Sequence, residues 1–416
     1  MKAKQSILIC LFLFIAALAI FGIYGMRTAT TTNALGKLLL VYVVTLIAGG
    51  ALFLAIDLVI RRRNITGFLR PQNMLNLLLV LVFGLTILQP LIGLALGVEA
   101  RLPNMENREL AKMPKLAMQT LTSFPQEFIA YVTDNFGFRK TLIHWNSIAS
   151  IRYFNVAPVS SKVVLGKDDW LFYSDSINDY QGLSPLTEEQ LQSMAKNLKE
   201  QRDWLAERGI YDLVVIVPNK ETIYPEYLPD YFRRYNQETR LDQLMNFLEL
   251  NSDVKILDLR DVLLQAKTQY PVYYHTDTHW NKYGAFVGYS EILKQLSNVF
   301  PDLQSPSTSD YDVTVRSYLG NGDLAGMLTM GGTFHEQGAE VVFKGNESAI
   351  QKKPEGALMF GDSFYNALEP YLSATFEKFV KAPWLQKFDT SLVEKEQPQV
   401  VISVMVERDI AYFLLP

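Results

Sequence analysis

Asp212–Val217 reads DLVVIV. A run this short and apolar over almost its whole length suits a strand buried on both faces, the kind found in parallel sheets. The flanking sequence supports that reading. Upstream, Thr187 and Gln190 fit a capping box, and Leu191, Met194, Leu198 and Leu205 recur at helical spacing until Gly209 stops the helix. Before that helix, Val163–Tyr173 (VVLGKDDWLFY) reads as a hairpin around a Gly-Lys-Asp-Asp turn. Downstream, the pattern predicts helix 237–250, strand 254–258, helix 282–297, strand 357–360, helix 365–374 and strand 399–406. Such alternation predicts an α/β domain with a central, mostly parallel sheet and helices on both faces. In such domains functional residues collect where strands end and loops begin.

The first hundred residues follow other rules. Residues 7–26 carry no charge and are long enough to cross a hydrocarbon core of about 30 Å as a helix. A second run, 38–60, is broken only by Asp57, and a third, 74–98, only by Gln89 and Pro90. Because Lys2 and Lys4 precede it, the first run also fits a cleaved signal peptide. Lys2, Lys4, Arg61, Arg62, Arg63 and Arg70 flank the sides expected to stay inside, whereas the first outer loop has only Arg27 and Lys37. The expectation is a three-helix membrane anchor over 1–99 with a cytoplasmic N-terminus. A linker and helical lead-in would follow over 100–160, with Phe128, Tyr131, Val132 and Phe136 near one helix face. The extracytoplasmic α/β domain would occupy 161–416.

Composition removes several chemistries. A net charge of −4 offers no basic footprint for nucleic acid. The single cysteine, Cys10, lies in the first apolar run, so the expected domain holds no disulfide, thiol nucleophile or cysteine metal site. No cofactor is expected. Four histidines, His144, His275, His279 and His335, are the whole supply of imidazole.

Two segments carry chemistry. Ala357–Tyr365 (ALMFGDSFY) is a strand running through Gly361-Asp362-Ser363 into a helix. That turn exposes a serine, and amides opening the helix can hold a developing oxyanion. Asp362 or Ser363 acting merely as an N-cap is the alternative. Tyr274–Trp280 (YHTDTHW) sets Asp277 and His279 two apart, on one side of an extended segment, so the carboxylate can orient the imidazole. His275, Asp277 and His279 as metal ligands, or His279 and Trp280 as packing at a helix start, are the rivals. Lys220 faces an anionic substrate or is a solvated loop lysine. Glu407 and Arg408, following VVISVMV, bind sugar hydroxyls or form an ion pair closing the sheet. Trp280, Tyr365 and Trp170 stack on sugar rings or belong to the core.

With the Asp-x-His-Trp segment and the later Gly-x-Ser-[Phe/Tyr] turn, the chain resembles the AlgJ/AlgX alginate O-acetylation and DHHW proteins of the SGNH hydrolase-like superfamily. The ENREL…FP segment at 106–125, YVTDNFGFR at 131–139, VLGKDDWLFY at 164–173 and VPNKETIYPEYLP at 217–229 extend the resemblance over roughly 105–416. Asp277 and His279 precede Ser363, the permuted order of the AlgX type. The resemblance implies an SGNH-like, flavodoxin-like three-layer domain. It makes Ser363 the nucleophile, His279 its general base and Asp277 the orienting carboxylate, with Asn219 a candidate for the superfamily's oxyanion asparagine. It implies acetyl transfer to an exported polysaccharide beside a multi-pass membrane acyltransferase. It does not account for the apolar N-terminal runs, which imply a lipid bilayer as a further partner. The same residues would serve a carbohydrate esterase or deacetylase, and the fold alone a non-catalytic glycan-binding assembly protein.

Overall fold

The structure, a computed structural model, describes residues 109–158, 162–307, 310–344, 353–383 and 387–411, together with seven isolated positions between 83 and 97. The runs 7–26 and 38–60 lie outside the described residues, as does 74–98 apart from those isolated positions. Among the described residues no helix is long and apolar enough to cross a membrane. The chain divides into two compact units between Ala149 and Ser150.

In the first unit, Phe124–Asn135 (α1) carries Pro125 in its first turn, which the fixed φ of proline suits. The helix covers Phe128, Tyr131 and Val132, but none of its residues is buried, and Phe136 is its C-cap rather than part of an apolar stripe. Arg139–Phe154 (α2) follows and runs across the division.

In the second unit, Val163–Leu165 (β1) and Leu171–Tyr173 (β2) pair antiparallel as the hairpin expected from sequence. Asp168 and Asp169 take positive φ in its turn, a conformation aspartate tolerates better than most residues. Ser174–Tyr180 (α3) and Glu188–Ala206 (α4) come next; Thr187 and Gln190 form both bonds of the capping box. Leu191, Met194, Leu198 and Leu205 are all buried, and Gly209 turns the chain at φ +69°. Tyr211–Val217 (β3), Lys220–Ile223 (α5), Arg240–Asn251 (α6), Ile256–Asp258 (β4) and Arg260–Ala266 (α7) follow. Then come Lys282–Leu296 (α8), Tyr311–Leu319 (β5), Asp323–Met327 (α9) and His335–Phe343 (β6). Lys353–Gly361 (β7), Tyr365–Thr375 (α10), Phe376–Lys381 (β8), Thr390–Glu396 (α11) and Val400–Val406 (β9) complete the unit.

Five strands form one parallel sheet in the order β4-β3-β9-β7-β8. Alternation along β3 sorts its side chains into two layers. Leu213, Val215 and Val217 join Val400, Ile402, Val404 and residues of α8 and α10 in one core. Val214 and Ile216 face the other way, onto Leu191, Met194 and Leu198 of α4 and Leu241, Leu244 and Leu248 of α6. Leu358, Phe360 and Val401 continue that second layer over Leu205 and Val393. This is the three-layer α/β arrangement expected from sequence. The antiparallel pair β5–β6, outside the main sheet, was not expected. Its connection, residues 320–334, carries α9.

The C-terminal ends of β3, β9 and β7, three neighbours in the sheet, deliver Asn219, Glu407 and Ser363 to one edge of it.

Candidate active site

β7 ends at Gly361, where φ is +156° and a Cβ would lie 2.2 Å from the Val404 carbonyl oxygen. Only glycine lets the chain leave the sheet this close to β9. Asp362 then fastens the turn: its Oδ1 accepts the Phe364 N–H at 2.9 Å and its Oδ2 the Val406 N–H at 2.6 Å. Burial pushes this carboxyl up to about 6, against the pull of those two amides. The N-cap reading is therefore corrected. Phe364 occupies the N-cap of α10, and its own side chain makes no capping bond; Asp362 holds the Phe364 N–H with one oxygen and β9 with the other.

With the turn held from beneath, Ser363 faces the Tyr274–Trp280 segment. Ser363 Oγ lies 2.6 Å from His279 Nε2. His279 Nδ1 lies 2.6 Å from Asp277 Oδ1, which also accepts the His279 N–H at 3.0 Å. A proton on Nδ1, donated to the carboxylate, leaves Nε2 with its lone pair toward the hydroxyl. Burial alone would raise the Asp277 pKa, but the hydrogen bonds and charge of His279 and the Asp323 amide hold it at about 2. For His279, burial and the Arg408 charge favour the neutral ring; the bond and charge of Asp277, with the charge of Asp323, outweigh them and raise its pKa.

The loop bearing these groups is tied from three sides. Lys220 Nζ donates to the carbonyls of Tyr274, His275 and Asp277 at 3.1, 3.0 and 2.7 Å. Glu336, buried, accepts the amides of His275 and Thr276 at 2.7 and 2.9 Å and the Thr276 hydroxyl at 2.6 Å. Asp323 accepts the Thr278 N–H at 2.7 Å and its hydroxyl at 2.6 Å, while the Asp323 N–H donates to Asp277 Oδ2 at 3.1 Å.

Several sequence expectations change here. Lys220 is neither a substrate-facing nor a solvated lysine; it is 3% exposed, and burial lowers its pKa to about 8 against the charges of Asp323, Asp277, Glu336 and Glu221. Glu407 is fully buried and does not pair with Arg408. Its Oε2 accepts the Asn219 N–H at 2.9 Å and the Thr222 hydroxyl at 2.7 Å. Arg408 lies with its guanidinium 5.4 Å from the Phe364 ring and 5.5 Å from the Tyr173 ring. Trp280 and Tyr365 are core residues, donating to the carbonyls of Phe364 (3.2 Å) and Ala382 (3.1 Å). Trp170 is buried too, stacked on Tyr227 at 4.5 Å and His275 at 4.3 Å.

Asn219 is buried, and its Oδ1 accepts the Arg408 N–H at 3.3 Å, which leaves the Nδ2 donors of the same carboxamide uncommitted among the described residues. Of the amides opening α10, those of Phe364, Tyr365 and Asn366 are already bonded within the turn. Ser363's own N–H is without a partner among the described residues, so the expected oxyanion donors narrow to it and Asn219.

Asp277, His279 and Asp323 are the one set of three potential ligands within 4.8 Å of one another among the described residues. Every carboxylate oxygen of that set already accepts an N–H or O–H, so the donor set suits a proton network better than a cation. His275 is not in it; its ring packs against Trp170 instead. Asp323, Glu336 and Thr278 were not singled out from the sequence. Gly320-Asn321-Gly322-Asp323 reads only as a turn, and nothing local links it to Asp277.

The chain is similar in part to known proteins. Residues 163–367 match the family model described as "SGNH hydrolase-like domain, acetyltransferase AlgX". The probable alginate O-acetylase AlgJ of Pseudomonas putida is 29% identical over 144 residues, 32% of this chain and 34% of that one. Its counterpart in Pseudomonas syringae pv. tomato is 24% identical over 273 residues, 59% of this chain and 68% of that one. The chain thus spans about a third of the first relative's length and two thirds of the second's. The solved O-acetyltransferase domain of Pseudomonas putida AlgJ aligns with a TM-score of 0.43 at 22% identity, covering 60% of this chain and 92% of that one.

Proposed function

We infer that this chain, whose residues 163–367 belong to the AlgX-type SGNH hydrolase-like family, is a serine O-acyltransferase that moves acetyl groups onto a polysaccharide. The observation that carries the reading is the unbroken row Ser363 Oγ, His279 Nε2, His279 Nδ1 and Asp277 Oδ1, with 2.6 Å at each contact. Relatives named probable alginate O-acetylases support acetyl as the group and a polysaccharide as the acceptor.

In this mechanism Ser363 Oγ attacks the carbonyl carbon of an acyl donor while its proton passes to His279 Nε2. Asp277 holds the resulting imidazolium. The tetrahedral oxyanion collects hydrogen bonds from the Ser363 N–H and Asn219 Nδ2. Collapse expels the donor's leaving group, which takes the proton from Nε2, and Ser363 is left as an ester. A sugar hydroxyl then gives its proton to Nε2, attacks the ester carbonyl, and Ser363 leaves with that proton. Water in place of the sugar makes the same machinery an esterase.

We further propose that residues 7–26, 38–60 and 74–98 anchor the chain, with the N-terminus cytoplasmic and the domain outside. There a multi-pass membrane acyltransferase would supply acyl groups. Full-length protein incubated with a chromogenic acetyl ester, with and without oligosaccharide, tests the reaction. Acceptor-dependent appearance of acetylated oligosaccharide is expected; hydrolysis indifferent to every acceptor would make it an esterase. A wild-type level of cellular polymer acetylation in Ser363→Ala would leave only a non-catalytic role.

A further inference from the structure

His279 is approached on its Nδ1 side by two carboxylates, not one. Asp277 Oδ1 is at 2.6 Å and Asp323 Oδ2 at 3.8 Å. Asp323 starts α9, in the connection between β5 and β6, 44 residues beyond the histidine. It is fixed there from both ends. Its backbone N–H donates to Asp277 Oδ2, and its carboxylate grips the amide and hydroxyl of Thr278. The Thr278 hydroxyl, which donates its hydrogen bond to Asp323, sits 3.3 Å from His279 Nδ1 with lone pairs to spare.

We propose that Asp323 is a second positioning carboxylate for His279, acting directly through its charge and indirectly through the Thr278 hydroxyl, so that the imidazole is served by a carboxylate pair. Its catalytic consequence rests on the Ser363–His279 reading above. Asp277 sets the ring's tautomer by a direct bond. Asp323 holds Asp277 through its own amide, offers Nδ1 a second acceptor by way of Thr278, and adds negative charge where the imidazolium forms. Two carboxylates this close repel, and that repulsion, behind burial, raises the Asp323 pKa. The charged groups facing His279 are Asp277 from its own segment, Asp323 from α9 and Arg408 beyond β9. Lys220 faces the Asp277 carbonyl.

Two behaviours follow that a merely structural aspartate would not produce. Removing the Asp323 charge should make the imidazolium easier to deprotonate. Asp277 and Asp323 should also substitute for one another in part, so their removal is not additive.

The test uses the full chain labelled with [15N]histidine, in which only four histidines contribute signals. Asp323→Asn should lower the His279 pKa by about 0.5–1 unit and move the acidic limb of the pH–rate profile down with it. Asp277→Asn should lose roughly 10²-fold in rate, and Asp277→Asn/Asp323→Asn at least about tenfold more than the two single losses multiplied. If Asp323→Asn does not fold, Thr278→Val replaces it. That change removes the second acceptor offered to Nδ1 and the hydroxyl that keeps Asp323 ionised, and should lower the His279 pKa. An imidazole titration unmoved in whichever variant folds overturns the proposal, as does a strictly multiplicative double mutant. If instead no variant and no wild type turns over any acyl ester, the enzyme reading fails while the titration still reports on Asp323.

Discussion

Lys220 Nζ donates to the Asp277 carbonyl at 2.7 Å, a bond from the end of one sheet strand to the main chain of the residue that orients His279. The same ammonium also takes the Tyr274 and His275 carbonyls, so a single side chain satisfies three acceptors of a segment with no secondary structure to satisfy them. Lys220→Met keeps the stem but leaves the Tyr274 and Asp277 carbonyls unpaired, while the His275 carbonyl keeps the Leu171 N–H, costing about 2–4 kcal/mol. Thermal unfolding should show Tm lower by roughly 5–15 °C, with activity falling further than stability alone explains. An unchanged Tm would mean the loop is held by something else.

Gly322 tests the loop from the opposite side. A Cβ there would meet the Thr276 carbonyl oxygen at 2.3 Å and the Asp277 nitrogen at 2.6 Å. Its φ of −63° suits any residue, so the objection to a side chain is contact rather than backbone strain. Gly322→Ala should push Asp277 out of line with His279 and cost at least about tenfold in turnover, since small displacements near reacting groups are expensive. Crystallography or histidine NMR of the variant should show the Nδ1 bond lengthened.

Glu407 gives a pH dependence with a definite sign. Burial and then the Asp179 charge raise its pKa from 4.5 to about 7. A carboxyl raised on folding stabilises fully below its unfolded pKa, and that contribution is lost as pH climbs through the folded one. Glu407→Gln retains an oxygen for Asn219 and Thr222 and cannot ionise. It should match the wild type near pH 4 and exceed it by about 3 kcal/mol above pH 8, measured by denaturant unfolding at both values. Equal stability at the two pH values in the wild type would contradict the assignment.

Trp280 separates core from ligand. Because it is buried and bonded to the Phe364 carbonyl, Trp280→Phe should lower Tm through a lost hydrogen bond and a partial cavity, about 1–3 kcal/mol. The apparent KM for an oligosaccharide acceptor should stay the same. A raised KM at unchanged Tm would restore the sugar-stacking reading.

The sequence made the parallel core legible because its signals are local: DLVVIV, the capping box at Thr187 and the glycine stop at Gly209 each act within a few residues. Ser363, Asp277 and His279 were legible because strand-to-helix turns and period-two spacing also act locally. What stayed hidden depends on distant pairing. Glu336 and Asp323 reach the 274–279 loop only because β5 and β6 pair, and the alternation at Tyr311, Val313 and Val315 marks a strand without naming its partner. Lys220, Glu407, Trp280 and Tyr365 were misplaced for a related reason. Residues just past a strand end look exposed in a pattern, whereas here the loops fold back and bury them.

The account stands on Ser363 being a nucleophile activated by His279. The most direct measurement is intact-protein and peptide mass spectrometry of the full chain after exposure to a serine-directed phosphonate or an activated acetyl donor. The account predicts one adduct, on Ser363, formed at least about 10³-fold more slowly in His279→Ala. No adduct on Ser363, or labelling that proceeds equally well without the imidazole, would contradict it.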